Sequence, residues 1–133
     1  MYQPSHFRQN DLDVMEALIR AHPFATVVSQ SEGMLTADHM PMLVQREAGG
    51  QLRLEGHVAR ANPLWQVQGR VLVIFQGPQE YISPSWYAEK PRSGKVVPTW
   101  NYTVVHCHGT LVAREDPQSI LATVRALTDR HEA

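Results

Sequence analysis

His57, Arg60 and Asn62-Pro63 stand close together in this chain and could bind an anion. A guanidinium can fork onto two oxygens of a phosphate or carboxylate. Asn62 can cap a short helix that Pro63 opens at its first position, and the N–H groups of such a start attract negative charge. His57 adds a donor nearby. Read blandly, the same residues are a surface arginine and a strand-end histidine.

A second concentration of chemistry lies between Val71 and Tyr102. The apolar run Val71-Leu72-Val73-Ile74-Phe75 turns at Gly77-Pro78 and continues through Tyr81-Ile82-Ser83-Pro84-Ser85-Trp86-Tyr87. It ends in Gly94-Lys95-Val96-Val97-Pro98-Thr99-Trp100-Asn101-Tyr102. Trp86 and Trp100 each carry an N–H and offer a flat face to a planar ring. Ser83 and Val97 precede prolines, which pushes both into extended backbone. Thr99 and Asn101 fall on one side of an extended chain and Trp100 on the other, so all three meet one ligand only if the strand bulges there. On residue chemistry alone, a loop tucked under its own aromatics fits as well.

Other chemistries find less support. His106 and His108 share a strand face at a spacing that suits a metal, but no third ligand follows and Cys107 points the other way, so a structural role is expected. Ser83 and Ser85 lack a Gly-x-Ser-x-Gly elbow, which argues against a serine hydrolase. Nothing has the form of a Gly-rich phosphate loop.

The elements that must position these groups are mostly strands. Asn10 or Asp11 caps a helix with Leu12, Met15, Leu18 and Ile19 on one face, and Pro23 ends it. Strands are expected over 24–29 and, after a turn at Ser31-Glu32-Gly33, over 34–46 with an interruption at Pro41. Gly49-Gly50 makes a hairpin with 51–59. A short helix from Asn62 stops at Gly69, and 71–75 is a central strand covered on both faces. A long strand spans 99–113. Asp116-Pro117 opens a last helix whose stripe is Ile120, Leu121, Val124 and Leu127. Short turns between strands indicate an antiparallel, mainly β (α+β) barrel or sandwich with flanking helices.

Composition bounds the rest. The chain has 133 residues, 43% hydrophobic and 19% charged, which fits one globular domain over 1–133. A net charge of −1 argues against an electrostatic nucleic-acid binder. One cysteine excludes an internal disulfide and suits a reducing cytoplasm. No apolar run approaches the ~20 residues of a membrane span.

Three separated blocks carry a resemblance: Met1-Tyr2-Gln3-Pro4-Ser5-His6-Phe7, Gly56-His57-Val58-Ala59-Arg60-Ala61-Asn62-Pro63-Leu64-Trp65, and the segment from Val71 to Tyr102. In this order they resemble the PaiB-type family, the FMN-binding negative transcriptional regulators. That family is similar to the flavin-binding split β-barrels that include the pyridoxamine-phosphate oxidases. The resemblance implies an antiparallel split barrel that forms a homodimer and holds FMN at the subunit boundary. The cofactor-binding residues it implies are His39, His57, Arg60, Asn62, Ser83, Trp86, Lys95, Thr99, Trp100 and Asn101, with no metal and no assigned catalytic residue. Arg60 would take the phosphate, and His39 would lie near the flavin. Family members run on beyond the end of this chain, so a C-terminal helix and closing strand are expected to be missing. DNA is a partner only by resemblance. Alternative readings are a flavin-dependent oxidoreductase, and a haem-binding or haem-degrading split barrel with His39, His106 or His108 as axial ligand.

Overall fold

Asp11 Oδ1 accepts a hydrogen bond from Asp13 N at 2.9 Å and so caps helix α1, Leu12–Ala21. Its apolar face carries Ile19 into the core, fully buried, with Met15 and Leu18 packed beside it. A computed structural model describes residues 1–87, 94 and 96–133.

Strands β1, Phe24–Ser31, and β2, Met34–Pro41, form a hairpin turning through Glu32 and Gly33, both at positive φ. The strand expected over 34–46 divides after Pro41. β2 stays with β1, while β3, Leu43–Arg46, pairs with β4, Leu52–Glu55, in a separate two-stranded sheet. Proline has no N–H for a ladder, and the next N–H, of Met42, bonds back to Pro23 O at 3.0 Å. β4 ends at Glu55, short of the expected Ala59. Asn62 caps a single 3-10 turn, Pro63–Gln66, through Leu64 N at 2.9 Å.

β5, Arg70–Ile82, and β6, Thr99–Thr110, complete a four-stranded antiparallel sheet in the order β2-β1-β5-β6. The expected turn at Gly77-Pro78 is a β-bulge inside β5. Gln76 pairs with Val104 and Gln79 with Tyr102, so Gly77 and Pro78 together oppose Thr103. Proline is tolerated at a bulge, and the strand runs on to Ile82. The last helix, α2, Pro117–Glu132, is capped by Asp116 Oδ2 on Ser119 N at 2.8 Å. Of its expected stripe only Leu127 is buried, and Ile120 and Leu121 remain exposed.

Among the described residues the architecture is α+β: two antiparallel sheets and two α-helices. Among the described residues no ladder closes the larger sheet on itself. Its inner face (Ala25, Val27, Met40, Val71, Val73, Phe75, Val105) makes the core with Ile19, Val44 and Leu64. The central strand expected to be covered on both faces is fully covered on one, and Leu72 and Ile74 on its outer face are half-buried. That outer face continues through Val104 to Tyr102 and Trp100, each 60% exposed. No helix of the described residues is long and apolar enough to cross a membrane.

Candidate functional site

A cleft of about 430 Å³ opens where four pieces of chain meet. They are the end of β2, the segment from Leu54 to Trp65, the end of β6 with the link to α2, and the first turns of α2. Met40, Met42, Leu54, Leu64 and Leu111 give it apolar walls, and Thr110, Ser119 and Thr123 add hydroxyls. This is the size and mixture of a small-molecule site: apolar surface to exclude water, with a few polar groups to fix orientation.

The chain is locally built to hold Arg60 at this cleft. Trp65 Nε1 donates to Arg60 O at 3.0 Å, which folds the segment back on itself. The Arg60 guanidinium then lies 5.2 Å from the Trp65 ring centroid, a cation–π contact. Arg60 Nη1 also donates to Glu115 Oε1 at 2.6 Å. Asn62 anchors the following turn by donating from Nδ2 to Asp38 Oδ1 at 2.8 Å. His57 lines the cleft with Arg60. Two further arginines lie along it, each engaged by carboxylate: Arg53 with Glu55 at 2.8 Å, and Arg114 with Glu55 at 3.8 Å.

The remaining residues read from the sequence lie elsewhere. His39 neighbours Met40 on β2 and takes the opposite, outer face. Its Nδ1 lies 3.1 Å from Thr26 Oγ1, and its ring stacks on Phe24 at 6.4 Å. Ser83, Trp86, Thr99, Trp100 and Asn101 gather at the far end of the β5–β6 pair. There Ser83 Oγ caps Ser85 N at 3.2 Å, and Tyr81 meets Trp100 edge to face at 6.0 Å. Thr99 to Asn101 pair regularly with Ile82 to Glu80, so Trp100 keeps the side opposite to Thr99 and Asn101. Lys95 lies outside the described residues. Along β6, Thr110 at the cleft and Thr99 are about 35 Å apart at strand rise. One flavin nucleotide does not bridge that span within one copy.

His106, half-buried on the outer face, has its pKa lowered by burial first, then by the N-terminal amino group and His108. Among the described residues no third metal-type ligand gathers with this pair. Burial pushes the Cys107 thiol up, which keeps it in the inert, protonated form.

A family model described as "Putative FMN-binding domain" matches residues 1–133. The chain belongs to this FMN-binding domain family. It is similar, at 36% identity over 112 residues, to the "Protease synthase and sporulation protein PAI 2" of Bacillus subtilis. That match covers 82% of this chain and 51% of PAI 2. An uncharacterized protein of Saccharomyces cerevisiae is 30% identical over 154 residues, covering 99% of this chain and 90% of the relative. One from Emericella nidulans is 29% identical over 140 residues, covering 84% of this chain and 56% of the relative. The chain thus spans about half the length of PAI 2 and of the Emericella protein.

Within this family member, the block Gly56 to Trp65 that carries the resemblance is also the segment that walls the cleft. Glu115, Trp65, Thr110 and Ser119 are cleft residues that sequence reasoning did not single out. Trp65 was visible inside the quoted block. Glu115 carried only the weak signal of standing beside the Asp116 cap.

Proposed function

We propose that this chain binds FMN, with the phosphate held by Arg60 and His57 at the mouth of the cleft. The observation that carries this is an exposed guanidinium, laid over Trp65, beside an apolar cleft of about 430 Å³. Bound there, FMN would supply a redox-active, ring-shaped group, while the protein supplies the cation, the hydroxyls and the apolar wall. The fold reads as one half of a split-barrel dimer. The span along β6 supports this, since Trp100, Thr99 and Asn101 reach a flavin at the cleft only from a second copy. The exposed outer-face aromatics Tyr102 and Trp100 fit the same arrangement. We read a cytoplasmic, PaiB-type regulatory protein of one domain. With a net charge of −1, it acts on DNA through a partner rather than through a basic face of its own.

The test is the absorption spectrum of freshly purified protein, followed by FMN titration with tryptophan emission as readout. Flavin bands, or quenching of tryptophan on adding FMN, support the reading. A Soret band would replace it with haem binding. A featureless spectrum with no quenching at saturating FMN would overturn it.

A further inference from the structure

Two residues that line the cleft, from distant parts of the chain, are joined by an ion pair. Arg60, in the segment after β4, is held at 2.6 Å by Glu115, in the link between β6 and α2. The pair is open to solvent, with side chains 68% and 57% exposed. It also differs from the other ion pairs of the cleft. Glu55 holds Arg53 and reaches Arg114, and Arg53 has Glu47 and Gln45 as well. Among the described residues Arg60 has a single carboxylate partner, and a ring lies beneath it. Arg114 is reached only at 3.8 Å by a carboxylate it shares with Arg53, whereas Arg60 has a close, exposed carboxylate that holds no other cation among the described residues.

We propose that Glu115 is a built-in anionic competitor for the phosphate position. Its carboxylate occupies the guanidinium that a phosphate monoester dianion would take, so ligand entry swaps Glu115 for phosphate and frees the link leading to the Asp116 cap. A dianion with three acceptor oxygens replaces a single carboxylate with gain. A neutral ligand such as riboflavin has nothing to offer Arg60 and leaves the pair closed. Glu115 thereby sets how strongly an anion must bind before the cleft opens. This rests on Arg60 being the phosphate cation.

The experiment is calorimetric titration of the full chain with FMN and with riboflavin at low salt, for the unaltered protein, E115Q, R60A and the double variant. E115Q should tighten FMN about two- to fivefold, the range of an exposed ion pair, and leave riboflavin unchanged. The gain should vanish in the R60A background. If R60A weakens FMN relative to riboflavin but E115Q does not tighten FMN, the competitor role is overturned and the phosphate reading stands. A gain from E115Q that survives in R60A overturns the competitor role too. If R60A leaves the preference for FMN over riboflavin unchanged, both fall.

Discussion

Asn62 Nδ2 donates to Asp38 Oδ1 at 2.8 Å, tying the turn that follows Arg60 to the inner face of β2. The same side chain caps Leu64 N, so its loss removes two bonds at once. Asn62→Ala should cost about 2–3 kcal/mol in urea unfolding, the sum expected of a lost cap and a part-buried acceptor left without its donor. Asn62→Asp keeps the cap but sets a carboxylate against Asp38. At neutral pH it should therefore be no more stable than the alanine variant, and should recover as pH falls. An aspartate variant as stable as the unaltered protein at neutral pH would show that the bond to Asp38 contributes nothing.

What could be read from the sequence divides along the reach of the interactions. The caps at Asp11, Asn62 and Asp116 were legible because a cap is a contact between neighbours in the chain. His57 and Arg60 come to one cleft for the same reason, both lying in one ten-residue block. Gly77-Pro78 was misread as a turn because those residues serve a turn or a bulge equally well. Pairing with β6 some twenty-five positions away decides it. The break at Pro41 placed β2 and β3 in different sheets, which periodicity alone does not foresee. Glu115 was invisible as a partner of Arg60 because 55 positions separate them.

Gly77 allows the bulge to pack against α1. A Cβ at this position would collide with the Thr103 hydroxyl and lie 3.1 Å from Leu18 Cδ1. Gly77→Ala should therefore destabilise by about 1–3 kcal/mol, as overpacking does. Thr103→Ala removes the nearer obstacle, so the double variant should regain part of the loss. Strictly additive losses in thermal melts would show that Thr103 is not what Gly77 makes room for.

Acid sensitivity is expected at the junction of α1 and β3. The Arg20 hydrogen bond holds the Glu16 carboxyl below its ordinary pKa against the opposing effect of burial, and Arg46 adds to the lowering. A carboxylate depressed in the folded state binds fewer protons there than when unfolded. Its stabilisation is thus complete above the ordinary carboxylate range and is lost as pH falls through it towards the folded value. Asp116, lowered by Ser119, acts in the same direction. Glu16→Gln should flatten the decline of the urea midpoint between about pH 5 and about pH 3. A decline parallel to that of the unaltered protein would assign the acid limb to other groups.

Arg60→Ala should weaken FMN by roughly 1.5–3 kcal/mol, the worth of a hydrogen bond to a charged group. The lower end is expected, because Arg60 gives up Glu115 before it meets phosphate. Riboflavin should hardly change. Equal losses for both ligands in fluorescence titration would remove Arg60 from the phosphate position.

The separation between Arg60 and Trp100 makes the last prediction one about mixing copies. If the flavin lies between the cleft of one copy and the Trp100 end of another, each site draws Arg60 and Trp100 from different chains. Arg60→Ala and Trp100→Ala homodimers should then both bind FMN poorly. Unfolding the two variants together and refolding them allows hybrids to form. In a hybrid with two-fold symmetry, one site receives both substitutions and the other receives neither. With random pairing, about one quarter of all sites should regain unaltered affinity, seen as a tight fraction in a stoichiometric FMN titration. A site built within a single copy behaves differently, because every chain in the mixture still carries one defect. No tight fraction after refolding, with hybrids verified by sedimentation of a size-tagged partner, would rule out a flavin site that draws Arg60 and Trp100 from different copies.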